Sequence, residues 1–216
     1  MTESSTTDMN SSRPYLMRAM YEWIVDNNLT PYLLVSAGGP DVQVPVEQIN
    51  NGKIILIKNP FHSLRMDVLN EIFPKARYVN IIRHPHKFVP STVRIWNIVG
   101  TQNAMNNNWV KPSLKEVSAQ LFNMLQKIES DSKSLPKERY CEIKFEDLEK
   151  NPVKEIKQIY GQLNVEFSDQ FEKQISEFLI SVQDYQKNKY SIPETDKLEI
   201  NNILKDWMQE KNYSLD

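Results

Sequence analysis

An arginine closing an apolar run, with a helix start directly behind it, is the first feature of this sequence that could do chemistry. The run is 78–82, the arginine is Arg83, Pro85 and His86 open the helix, and Ser91 lies eight residues beyond Arg83. In a parallel α/β sheet, ligands occupy the crevice beyond the carboxyl ends of the strands. Arg83 would carry its forked guanidinium into that crevice. Ser91 would add a neutral donor, so the two together suit one anionic group. Upstream, the run 54–58 also ends on a basic residue, Lys58, followed by His62 and, one helical turn further on, Arg65. Glu146 and Asp147 are adjacent carboxylates at a helix start. Placed there, they read as residues favoured by the helix dipole rather than as an acid/base pair.

The elements that must position these residues follow from periodicity. After a polar stretch, 1–12, expected to be disordered, Pro14 opens a helix in which Leu16, Met17, Met20, Tyr21, Ile24 and Val25 recur at helical spacing. Residues 32–35 read as a strand and Gly38-Gly39-Pro40-Asp41 as a turn. Val42, Val44 and Val46 alternate like a second strand, which Pro45 places at an edge. Asn51-Gly52 predicts a tight turn before a strand over 54–58. From there strands and helices alternate. Helices are expected over 63–73, 85–99, 112–130, 146–163, 167–185 and 194–208, with strands over 78–82 and 140–145. That rhythm implies a parallel sheet covered by helices.

Composition narrows the classes. The 216 residues are 40% hydrophobic and 25% charged with a net charge of -2, which gives no reason to expect nucleic-acid binding. Cys141 is the single cysteine, so an internal disulfide is excluded, and no Cys/His spacing suits a metal. No apolar run is long enough to span a membrane. The N-terminus lacks a signal-peptide pattern, so a cytoplasmic location is expected.

Three stretches together resemble the PAPS-dependent sulfotransferase family over 54–216. Arg83-His84-Pro85 with Ser91 is similar to the family's site for the 3′-phosphate of PAPS (3′-phosphoadenylyl sulfate). Ile57-Lys58-Asn59-Pro60-Phe61-His62 resembles its strand ending in Lys with a nearby base. Glu142 to Pro152 resembles its late strand, acidic turn and Pro-started helix. The resemblance implies transfer of a sulfuryl group from PAPS to a hydroxyl or amine on a small-molecule, carbohydrate or peptide acceptor, without a metal. It places Arg83 and Ser91 on the cofactor, Lys58 on the bridging oxygen's charge and His62 on the acceptor proton. Arg65 is an alternative anion ligand. Residues 187–191 resemble the family's late basic segment. The family's 5′-phosphosulfate loop, Lys/Arg-Ser-Gly-Thr, has no counterpart, because Ser36-Ala37-Gly38-Gly39-Pro40 lacks the basic residue and the hydroxyl run. Half of a cofactor site is therefore implied, and sulfuryl transfer itself is placed in doubt.

Residues 12–56 resemble another family, stringent starvation protein B, through Arg13-Pro14-Tyr15-Leu16-Met17-Arg18-Ala19-Met20-Tyr21-Glu22-Trp23 and Val42-Gln43-Val44-Pro45-Val46-Glu47. That resemblance implies an adaptor delivering tagged substrates to the ClpXP protease and a homodimer paired through helix 14–26. A fusion of the two with neither activity is the third possibility. The expected fold class is α/β: a partial P-loop-like, three-layer parallel sheet with helices over 54–216. It is preceded by a disordered tail, 1–12, and an α+β helix-plus-meander segment, 13–56.

Overall fold

The computed structural model of the chain describes residues 33–36, 56–104, 110–183 and 191–216, and every structural statement concerns these. The strands are β1 (Leu33–Ser36), β2 (Leu56–Lys58), β3 (Arg77–Ile82) and β4 (Tyr140–Lys144). The α-helices are α1 (Met66–Ile72), α2 (Pro85–Asn103), α3 (Leu114–Ser132), α4 (Phe145–Lys150), α5 (Pro152–Gln162), α6 (Asp169–Ser181) and α7 (Glu194–Glu210). A 3-10 turn, Pro60–Leu64, links β2 to α1.

The four strands form one sheet in the order β2-β1-β3-β4, and every pairing is parallel. The strand expected at 32–35 is present, one residue shifted. It does not belong to an antiparallel meander. It lies between β2 and β3 and runs parallel to both. The physical reason is visible in its residues: Leu33, Leu34 and Val35 are an unbroken apolar run, as suits a strand covered on both faces, not an alternating one. The expected helix 14–26, the expected strand 42–46 and the basic stretch 187–190 lie outside the described residues.

Local chemistry explains where the helices begin and end. Ser113 caps α3 in a reciprocal box. Its hydroxyl accepts from the Glu116 N–H at 3.2 Å, and Glu116 Oε2 accepts from the Ser113 N–H at 2.8 Å. Pro85 and Pro152 stand in the first turns of α2 and α5, where a missing N–H costs nothing. Helices α5 and α7 end alike. Asn164 (φ 50°) and Asn212 (φ 54°) take the left-handed conformation. The next residue then donates back across the end, Val165 N–H to the Tyr160 carbonyl at 2.8 Å and Tyr213 N–H to the Met208 carbonyl at 2.7 Å. Asparagine tolerates that conformation and so satisfies the last carbonyls while reversing the chain.

The pleat sorts the core onto two faces. Tyr78 packs with Met66, Leu69, Phe73 and Ile128 beneath α1 and α3. On the opposite face Val79, Cys141 and Ile143 pack against Ile159 of α5 and Leu163 directly after it. A third cluster joins the end of β3 to the C-terminal helix: Ile82 and Val89 meet Ile200, Leu204, Trp207 and Met208. That last cluster lies directly beneath the Arg83 turn.

Candidate nucleotide site at the carboxyl edge of the sheet

Because all four strands run parallel, their carboxyl ends share one edge. Lys58 ends β2, Ser36 ends β1, Ile82 ends β3 just before Arg83, and Lys144 ends β4. The register sets Lys58 level with Val35, and Val35 level with Val79. Arg83 is thus four residues further along and two strands across, which puts the Lys58 and Arg83 Cα atoms roughly 16 Å apart at ordinary strand spacing.

Arg83 is exposed. Its guanidinium lies 4.6 Å from the centroid of the Phe145 ring, the first residue of α4. Among the described residues it has no ion pair or hydrogen bond, so its N–H donors are uncommitted while its plane is braced by an aromatic face. Ser91 is half-buried on α2, about 9 Å up the helix from its start at the normal rise. Its hydroxyl likewise makes no hydrogen bond among the described residues. Lys87 is exposed one turn before Ser91. The i, i+4 spacing sets Lys87 and Ser91 on one helix face, making Lys87 a third donor that the motif alone did not single out.

The turn between Arg83 and α2 is tied down from several sides. The His84 N–H donates to Glu146 Oε1 at 2.9 Å, and the Tyr213 hydroxyl donates to Glu146 Oε2 at 3.1 Å. His84 Nδ1 accepts from the His86 N–H at 3.2 Å. The ring needs a free lone pair there, which fits the direction of its pKa: burial lowers it below the ordinary histidine value, the neighbouring His86 adds to this, and Glu146 opposes it. Glu146 is therefore structural, as its position suggests, but not as a simple cap. Neither of its oxygens serves the first turn of its own helix, and both hold other segments. Burial and the adjacent Glu146 carboxylate also push the Tyr213 hydroxyl far above the usual tyrosine range, so it stays a donor.

Lys58 is half-buried and has no ion pair among the described residues. His62 lies in the 3-10 turn and lines a cavity of about 10 Å³ with Ser63, Met66, Tyr78, Val79, Asn80, Ile128 and Tyr140, room for about one water molecule. Ile57 packs with the Tyr78 cluster, so strand alternation sends Lys58 to the other face of the sheet. The structure thus sets Arg83 at the strand–helix turn and Ser91 nearly two helical turns into the helix that follows it, and separates Lys58 from the cavity that His62 lines. Among the described residues no group of His, Cys, Asp and Glu could hold a metal ion. No described helix is long and apolar enough to cross a membrane.

Against known proteins, a family model described as "Sulfotransferase family" matches residues 2–169. The chain belongs to the sulfotransferase family. The match begins at residue 2, well ahead of the boundary expected at 54. The chain is 24% identical over 140 residues to the omega-hydroxy-beta-dihydromenaquinone-9 sulfotransferase Stf3 of Mycobacterium bovis, covering 65% of this chain and 36% of that protein. The chain thus spans about a third of the length of that curated relative. It is also 40% identical over 72 residues to a stringent starvation protein B homolog of Haemophilus influenzae, covering 33% of this chain and 48% of that one. Sulfotransferase STF9 from Mycobacterium avium shares the fold with a TM-score of 0.59 at 15% identity, over 74% of this chain and 42% of that one. Sulfotransferase STF1 from Mycobacterium tuberculosis aligns with a TM-score of 0.52 at 18% identity, over 70% and 40%. A mixed fold of parallel sheet and helices shared with sulfotransferases agrees with the alternation of strands and helices in this sequence.

Proposed function

We propose that the carboxyl edge of this sheet binds the 3′-phosphoadenosine part of PAPS, with Arg83 and Ser91 on the 3′-phosphate and Lys87 adding charge. The observation that carries the proposal is Arg83 itself: an exposed guanidinium at a strand's carboxyl end, braced on Phe145 and committed to no protein acceptor among the described residues. Both residues are of the right chemistry for a phosphate, one supplying a planar charged fork and the other a hydroxyl. When bound, PAPS supplies the activated sulfuryl group. In this reading Lys58, on the same edge two strands away, addresses a different part of that nucleotide and stabilises negative charge there. His62, opening onto a space the size of one water, is given no part in receiving an acceptor. A hydroxyl acceptor is proposed by analogy with the omega-hydroxy compound in the name of the Stf3 relative. Slow turnover is expected from a sequence without a basic, hydroxyl-rich loop after its first strand, because fixed donors around the transferring group are usually the largest catalytic contribution.

The test is calorimetric titration with PAP, 3′-phosphoadenosine 5′-phosphate, which carries the same 3′-phosphate without the sulfuryl group. Saturable one-to-one binding is expected. Ser91→Ala should weaken it about 10-fold, the worth of one hydrogen bond to a charged group at the low end of its range. A flat titration with the wild-type chain would sink the proposal.

A second proposal attaches to residues 13–56, whose pattern resembles the protease adaptor; the 40% identity over 72 residues to an adaptor homolog favours it. It expects a dimer paired through helix 14–26. Sedimentation that shows only monomer at tens of micromolar would count decisively against it.

A further inference from the structure

We propose that the C-terminal tail, residues 211–216, is a strap that fixes the anion-binding turn 83–86, with Tyr213 and Glu146 as its positioning residues. The proposal rests on the assignment of the nucleotide site to Arg83, and extends it to residues that never touch a ligand.

The strap starts at a local signal. Helix α7 ends with Asn212 at φ 54°, and the Asn212 and Tyr213 N–H groups donate to the Gln209 and Met208 carbonyls at 3.0 and 2.7 Å. This paired closure reverses the chain at the helix end and aims the next residues across its own last turn. Tyr213 then stacks on Trp207, with ring centroids 5.9 Å apart, and meets the His84 ring edge-on at 5.1 Å.

From that position the tail reaches every side of the turn. The Tyr213 hydroxyl donates to the same Glu146 carboxylate that accepts the His84 N–H. Lys144 Nζ donates to the Asn212 carbonyl at 3.1 Å and lies 4.5 Å from the Tyr213 ring centroid. Asn201 links the remaining pair, with His86 Nε2 2.8 Å from its Oδ1 and its Nδ2 donating to the Leu215 carbonyl at 2.7 Å. Glu146 thus holds the backbone one residue after Arg83, while its neighbour Phe145 braces the Arg83 side chain. An arginine left exposed would otherwise lose much rotamer freedom on gripping a phosphate, and a fixed turn lowers that cost. The contacts span 67 residues of sequence between Glu146 and Tyr213, so the tail and the turn form one unit only in the folded chain.

The test pairs two readouts on the full chain: amide hydrogen exchange at His84 and His86 by NMR, and PAP affinity by calorimetry. Tyr213→Phe keeps the ring stack and removes only the hydroxyl. It is expected to speed exchange at His84 at least 5-fold and weaken PAP binding 3- to 10-fold. Glu146→Ala should do the same more strongly, and Glu146→Gln, which keeps an oxygen acceptor and a polar partner for Tyr213, should recover most of the loss. Deleting Tyr213–Asp216 should be the most severe, and the two point variants stand in for it if it does not fold. Unchanged exchange at His84 in Tyr213→Phe overturns the strap whatever PAP does. Faster exchange with unchanged PAP affinity overturns the positioning role. A wild-type chain that does not bind PAP overturns the nucleotide assignment and the positioning role with it, while the exchange rates still report whether the tail holds the turn.

Discussion

Replacing Arg83 with alanine is expected to weaken PAP binding about 10- to 100-fold and to leave the fold almost untouched. The size follows from the kind of contact. A hydrogen bond to a charged group is worth about 1.5–3 kcal/mol, and each 1.4 kcal/mol is a factor of ten in affinity. The specificity of the effect follows from exposure. Arg83 is a surface residue whose side chain touches the Phe145 face and makes no ion pair among the described residues. Its removal therefore forfeits about 0.5–1 kcal/mol of cation–π contact. For a chain of this size that lowers the thermal midpoint by about 4 °C at most. Arg83→Lys separates charge from shape. It keeps the positive charge and loses the planar fork, so an affinity between wild type and alanine is expected. Calorimetry at two salt concentrations alongside a thermal scan reads all three quantities. An alanine variant that binds PAP as the wild type does would remove Arg83 from the site, and an alanine variant with a collapsed midpoint would make it structural.

That the proposed phosphate residue could be picked out from the sequence has a simple cause. Arg83 is defined by local order alone: an apolar strand, a basic residue, a proline, a helix. Helix starts were legible for the same reason, since Ser113 and Glu116 form their box within four residues. What failed was information carried by pairing. Leu33–Ser36 has the composition of a strand whichever way its neighbours run, and only the sheet reveals two parallel partners. For His62, spacing alone leaves the relation to Lys58 open. Its spacing from Lys58 suggests joint chemistry, yet one step of pleat alternation sends Lys58 to the other face from the cavity His62 lines. Glu146 was legible as structural through its place at a helix start. Its two partners, His84 and Tyr213, are 62 and 67 residues away, and no local pattern encodes them. Lys87 lay within the motif, and its i, i+4 relation to Ser91 was the signal that could have found it.

Leu204→Ala is the substitution expected to cost the fold most. Leu204 has 0% exposure and packs in the cluster that joins Ile82 and Val89 to Trp207 and Met208. Truncating a fully buried leucine costs about 2–5 kcal/mol, made up of lost transfer free energy and the cavity left behind. Against a total stability of about 5–15 kcal/mol that is a large share, and it corresponds to a fall of about 4–20 °C in the thermal midpoint. Leu198 lies on the same helix but is 56% exposed, so Leu198→Ala should change stability by about 0.5 kcal/mol or less. Leu204→Met, close in volume, should cost less than about 1.5 kcal/mol. The cluster also reaches the site. Ile82 immediately precedes Arg83, Val89 shares α2 with Ser91, and α7 carries the tail that meets His84. A cavity there would loosen strand end, helix and tail together. Leu204→Ala should therefore also bind PAP more weakly at a temperature where it is still folded, whereas Leu198→Ala should not. Equal midpoints for the two alanine variants would mean that α7 does not pack on the end of β3. A lowered midpoint with wild-type PAP affinity would mean that the Arg83 turn keeps its geometry without help from the core beneath it.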